Sequence, residues 1–132
     1  MACELTVGQS AQFSKTISES DVYTFAGVTG DLNPAHINES YAKETRFGGR
    51  IAHGMLSAGL ISAVIGTRLP GPGTIYMSQT LKFLSPVHIG DTVTATVTVA
   101  ALDDRGRATL DTVCTNQDGV LLVKGEALVL LP

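Results

Sequence analysis

Two short runs carry the side chains able to do chemistry. They are Gly30-Asp31-Leu32-Asn33-Pro34-Ala35-His36 and, further along, His53-Gly54-Met55. A carboxylate and an imidazole that converge on one point can hold a single water, one taking a proton from it while the other gives a proton away. Asp31 and His36 stand five positions apart, which on an unbroken helix separates them by about 140° and aims them at different faces. Asn33-Pro34 breaks such a helix, because the residue before a proline is driven toward extended geometry. Asn33 then caps a new helix and Pro34 takes its first position. The bend between them can fold Asp31 back beside His36. His36 falls in the first turn of the new helix, where the dipole favours a neutral ring, and Asp31 needs partial desolvation to serve as a base. Singly, each has an ordinary structural use: Asp31 as a turn former, His36 as a satisfied surface or packed residue.

Gly54 adds a different capability. A helix opening there leaves its first N–H groups without partners, aimed at whatever lies ahead of it. A carbonyl oxygen placed in front would be polarised as negative charge builds on it. Glycine equally permits close packing of a helix against a sheet, so spacing alone leaves both uses open. His53 reads as structural and His88, in Pro-Val-His-Ile-Gly-Asp, as a solvated turn residue. Ser57 and Ser62 read as helix serines bonded to the carbonyls four residues back.

The elements that must position these groups follow from pattern. Residues 5–17 form an opening arm or strand. Ser18-Glu-Ser-Asp21 starts a helix that Gly30 closes, and a second short helix is predicted from Glu39 to Thr45, stopped by Gly48-Gly49. The run from Gly54 to Gly66 is apolar on every face with interspersed small residues, which predicts a helix buried on all sides. Then the period becomes two: Val93, Ala95, Val97 and Val99 alternate with threonines as in a half-buried strand. Turns at Asp103-Asp-Arg-Gly106 and Gln117-Asp-Gly119 join it to two further strands. Helices followed by an antiparallel meander predict an α+β fold, its sheet curled around the apolar helix.

Composition narrows the function classes. The 132 residues make one domain, 1–132, with 44% hydrophobic and 16% charged residues, enough for a core. A net charge of −3, no tryptophan and 5% aromatics provide neither a basic face nor a stacking platform for nucleic acid. The longest apolar run is too short to span a membrane, and Met1-Ala-Cys-Glu-Leu-Thr lacks a signal-peptide pattern. Cys3 and Cys114 have no paired spacing, so they read as packing thiols in a cytoplasmic protein. The three histidines lie 17 and 35 residues apart with no adjoining cysteine or carboxylate pattern, so no metal is expected. Mean hydropathy of +0.23 predicts apolar surface hidden in an oligomer.

Asp31-Leu-Asn-Pro-Ala-His36, followed by Phe47-Gly-Gly-Arg-Ile-Ala-His-Gly-Met55 and Leu81-Lys-Phe-Leu-Ser-Pro-Val-His-Ile-Gly-Asp91, resembles the MaoC-like hydratases, specifically the (R)-specific enoyl-CoA hydratases. The resemblance runs from about Val7 to the end. It implies a hot-dog fold, a homodimer joined sheet edge to sheet edge, an acyl-CoA substrate and no cofactor. It assigns Asp31 and His36 as the catalytic pair, Gly54 as oxyanion donor, and Asn33 and Ser62 as supporting residues. Ile65 and Leu128 are acyl-pocket candidates. The implied reaction is syn hydration of a trans-2-enoyl-CoA to a (R)-3-hydroxyacyl-CoA, with Asp31 and His36 interchangeable as base and acid at this stage. Polyester monomer supply and fatty-acid oxidation are both open as its setting. Three rivals stand beside it: an acyl-CoA thioesterase, a (3R)-hydroxyacyl-carrier-protein dehydratase, and a non-catalytic acyl-thioester binding module. A carrier protein would want a basic rim, for which Arg46, Arg50, Arg68 and Lys82 are the candidates, although the same residues would suit CoA phosphates.

Overall fold

The threonine–valine alternation builds the longest strand of a six-stranded antiparallel sheet. In the computed structural model, which describes residues 4–132, the chain runs β1 (Ser10–Thr16), α1 (Glu19–Thr29), α2 (Pro34–Ile37), α3 (Glu39–Ala42), α4 (Gly54–Thr67), β2 (Ile75–Gln79), β3 (Lys82–Phe83), β4 (Thr92–Leu102), β5 (Arg107–Thr115) and β6 (Leu121–Leu130). Cys3 lies outside the described residues. The strand order is β1-β4-β5-β6-β2, with β3 pairing β6 beside β2. On β4, Val93, Ala95, Val97 and Val99 all turn inward, as do Ala108, Leu110 and Cys114 on β5. They pack with Ile61, Val64 and Ile65 of α4 into one core. Burial pushes the Cys114 thiol up to about 12, so it behaves as an inert small hydrophobe. Among the described residues no helix is long and apolar enough to cross a membrane.

Helix α1 begins at the expected capping box. The Ser18 hydroxyl accepts from Asp21 N–H at 3.1 Å, and the Asp21 carboxylate accepts from Ser18 N–H at 2.9 Å. It ends at Gly30, whose φ of 78° is one that glycine adopts without a steric penalty. Helix α3 is shorter than predicted. It stops at Ala42, and turns carry the chain on, with Thr45 donating its hydroxyl to Ala42 O.

Helix α4 departs from the sequence expectation more usefully. Leu56, Ser57, Ile61, Val64 and Ile65 are buried, but Met55, Gly59, Ser62, Ala63 and Gly66 are exposed. The sheet of one chain covers only one side of the helix, so an all-round apolar sequence is left with a bare face. Residues 75–85 divide into β2 and β3. Between them the chain crosses β6 at Gly125, where a Cβ would come within 1.7 Å of Thr80 O. Only glycine fits there.

Candidate active site

The bend at Asn33-Pro34 forms as the residue types dictate. Thr29 Oγ1 accepts from Asp31 N–H at 3.1 Å, Asp31 Oδ1 from Asn33 N–H at 3.3 Å, and Asn33 Oδ1 from Ala35 N–H at 3.0 Å. Three successive side chain-to-backbone bonds thus turn the chain from α1 into α2. Asn33 supports the turn as its cap and reaches no further.

This turn carries Asp31 to His36. Donor atoms of Asp31, His36 and His53 all lie within 4.8 Å of one another. His36 Nδ1 is 2.7 Å from Ile51 O. A carbonyl only accepts, so Nδ1 carries a hydrogen and Nε2 is the nitrogen left to face other groups. The dipole argument for its neutral form has little force, since α2 is a single turn. The Ile51 carbonyl sets the tautomer instead.

His53 is structural, as read, and its task is specific. It is 1% exposed, its ring stacks on His36 with centroids 3.9 Å apart, and it lies 4.8 Å from Phe25. Its Nε2–H donates to Asp31 O at 3.0 Å, leaving Nδ1 buried and unpartnered. His53 therefore holds the backbone of one member of the pair and the ring of the other. The spread of the three donor groups is wider than the ~3.3 Å between ligands in a tetrahedral zinc shell. The donor set suits proton transfer better than metal binding.

Arg50, four residues from Gly54, anchors this arrangement. Its guanidinium meets Glu19 at 2.6 Å, Tyr23 Oη at 2.8 Å and Glu39 at 3.4 Å. It thereby ties α1 and α3 to the segment that presents Ile51 O and His53. Beside Arg50, the Glu19 carboxyl is held below its ordinary range, first by that hydrogen bond. Sequence reading missed Ile51 and Arg50 as parts of the site. A backbone carbonyl leaves no mark in sequence, and Arg50's partners lie 11 to 31 residues away.

Gly54 opens α4 as predicted, with no side-chain cap from His53. A Cβ on it would approach the Phe83 ring to 2.6 Å, so the glycine does pack closely against β3. Two adjoining cavities meet here. One of about 500 Å³ is lined by His36, Gly54, Arg46, Phe47, Phe83 and Ser57 among others. The other, about 610 Å³, is lined by Asp31, Phe25, Gly59, Tyr76 and Gln79 among others, and Met55 borders both. Ser62 sits on the exposed face of α4 and lines neither. Ile65 is in the core at 1% exposure. Leu128, half-buried on β6 between Ser78 and Thr109, alternates with the inward-facing Ala127 and Val129 and so lies on the opposite face. Within one chain Ile65 and Leu128 do not meet. Ser57, expected to bond a carbonyl four residues back, has a buried hydroxyl with no partner.

A sheet curled over one side of an apolar helix, with an acid and an imidazole brought together beside that helix's N-terminus, defines an α+β hot-dog protein. The chain belongs to the MaoC-like family: the family model described as MaoC like domain matches residues 4–119. It is 60% identical over 130 residues to an (R)-specific enoyl-CoA hydratase of Rhodospirillum rubrum, covering 98% of this chain and 90% of that protein. It is 55% identical to a 3-hydroxybutyryl-CoA dehydratase of Methylorubrum extorquens, covering 98% and 82% respectively. The (R)-hydratase of Aeromonas caviae involved in PHA biosynthesis superposes with a TM-score of 0.96 at 47% identity, over 99% of this chain and all of that one.

Proposed function

We propose that this chain hydrates trans-2-enoyl-CoA to (R)-3-hydroxyacyl-CoA, with Asp31 and His36 as the catalytic pair. The observation that carries the reading is their convergence on one point beside Gly54, in a chain so similar to proteins named for this activity. The unpaired N–H at the head of α4 draws charge onto the thioester oxygen, which makes the β-carbon electrophilic. The Asp31 carboxylate takes a proton from water as the water oxygen bonds to the β-carbon. His36, doubly protonated for this step with Nδ1–H held by Ile51 O, delivers its Nε2 proton to the α-carbon. The pair then holds one proton on Asp31 in place of one on His36, and its return through water resets the site. The reverse sequence dehydrates.

The basic rim that would favour an acidic carrier protein is not assembled. Arg50 is spent on Glu19 and Glu39, and Arg68 donates to Gln12 O and covers Phe13. Lys82 stands opposite Lys124 on the sheet. Of the four candidates, Arg46 borders the His36 cavity. A CoA thioester is the substrate in this reading, as in the names of the relatives at 60% and 55% identity, and a cytoplasmic setting goes with it.

The working unit in this reading is a homodimer joined through β2. That edge exposes Ile75, Tyr76 and Met77, and beside it lies the bare face of α4. The opposite edge, β1, is largely polar and carries Lys15, a residue that discourages edge pairing.

The decisive assay follows loss of the conjugated enoyl-thioester absorbance with crotonyl-CoA and assigns product chirality. Asp31→Asn and His36→Ala each lower turnover by at least about 10²-fold while melting like wild type. Near-normal hydration by either variant removes the mechanism, and release of free thiol in place of hydration makes the protein a thioesterase.

A further inference from the structure

The turn Val87-His-Ile-Gly-Asp91 lies against the segment that presents Ile51 O to His36. His88 and Ile51 face one another as an antiparallel bridge, and Ala52 N–H donates to Val87 O at 2.7 Å. A bond between the flanking residues leaves the N–H and C=O of the facing pair turned outward. On one side those of Ile51 meet α2: its N–H donates to Ala35 O at 3.2 Å, and its carbonyl accepts from His36 Nδ1 at 2.7 Å. On the other side those of His88 both meet Asp91. The His88 N–H donates to Asp91 Oδ2 at 2.9 Å, and the His88 carbonyl accepts from Asp91 N–H at 3.0 Å.

Asp91 is itself fixed from two other places. Its Oδ1 accepts from Gln117 Nε2 at 3.0 Å, and Gln117 Oε1 accepts from Thr92 N–H at 2.9 Å, which ties the turn to the β5–β6 connection. Its carbonyl accepts from Ile17 N–H at 2.8 Å, while Gly90 N–H donates to Ile17 O at 2.8 Å. One carboxylate oxygen is enough to shape a turn. Here the second oxygen reaches a residue 26 positions away.

We propose that Asp91 is a positioning residue for His36, acting through His88 and Ile51. The inference rests on the hydratase reading above. A carbonyl that holds Nδ1–H and so aims Nε2 must have a fixed backbone, and Ile51 has one because the residue opposite it is clamped. With the clamp gone, the 87–88 segment shifts, Ile51 O follows, and Nε2 leaves its line to the α-carbon. A misplacement of about 1 Å can cost on the order of 10²-fold in rate, and the bridge passes on part of it. The loss falls mainly on kcat, since the cavity keeps its walls.

The test measures crotonyl-CoA hydration and the His36 tautomer in wild type, Asp91→Ala and Asp91→Asn, with thermal melts to establish folding. The chain has three histidines, so NMR of the imidazole nitrogens in mildly alkaline buffer separates His36 from His53 and His88. The bond to Ile51 O holds a neutral His36 in the Nδ1–H form, and a loosened one lets both tautomers appear. In Asp91→Ala, kcat is expected to fall about tenfold with KM within about threefold, and both tautomers to appear. Asp91→Asn keeps an oxygen for the His88 N–H and recovers most of the rate and the single tautomer. Should the alanine variant fail to fold, Asp91→Glu, which keeps the charge but moves the acceptor, is held to the same expectation. A folded alanine or glutamate variant with kcat within about twofold of wild type, or with the Nδ1–H form intact, overturns the role of Asp91 and leaves the function standing. A wild-type protein that hydrates no enoyl-CoA overturns the functional reading and this inference with it.

Discussion

Asp31 and His36 meet because three local hydrogen bonds turn the chain at Asn33-Pro34, and their orientation is completed by two groups from elsewhere. Ile51 O fixes which nitrogen of His36 is left to face other groups, and His53 grips the Asp31 carbonyl. Gly54 serves two ends at this scale, close packing on Phe83 and an unpaired N–H, and a double substitution separates them. Gly54→Ala drives a Cβ into the Phe83 ring, which costs about 1–3 kcal/mol of stability as overpacking. Adding Phe83→Ala restores the melting temperature by making room. If hydration stays at least about tenfold down in the double variant, close approach of substrate to the helix head is confirmed. Full recovery assigns Gly54 to packing alone.

At the scale of elements, Arg50 joins what local sequence leaves separate. Its bonds to Glu19, Tyr23 and Glu39 fasten α1 and α3 to residues 50–53. Arg50→Met is expected to lower the melting temperature by roughly 2–8 °C. It also lowers kcat by about tenfold with KM little changed, because the pair is misplaced while the binding cavity persists. A stability loss with kcat intact marks Arg50 as merely structural. The pH dependence has a definite sign. Glu19's folded value lies below its ordinary 4.5, so its contribution is full above that value and is lost as pH falls through the lower one. The gap in melting temperature between wild type and Arg50→Met therefore narrows below about pH 4.5.

For the whole molecule, the apolar β2 edge and the bare face of α4 present one continuous problem, which the proposed second copy would solve. In a two-fold pairing of β2 with itself, residues near the strand's middle lie opposite their own copies, so a charge there meets its like. Met77, at the bulge of β2 and half exposed, is the position to use. Met77→Lys is expected to shift the protein from dimer to monomer in sedimentation at micromolar concentration, and hydration falls with it, since β2 also lines the Asp31 cavity. A wild-type protein that sediments as a monomer removes this assembly.

What residue types decide over a few neighbours was legible from the chain itself. The Ser18–Asp21 box, the Gly30 stop, the Asn33-Pro34 bend and the inward valines of β4 each depend on one or two adjacent choices. The Asp31–His36 pairing followed because the bend that makes it is local. Tertiary structure alone decided the rest: the His36 tautomer, the grip of His53 on Asp31, the Arg50 anchor, the exposed face of α4, and the orphaned hydroxyl of Ser57. Those depend on groups brought together from 11 to 31 positions apart, or on how far one sheet can reach around one helix. Periodicity reports which side of an element avoids water, but it does not identify the neighbour that covers it or show whether this chain supplies one.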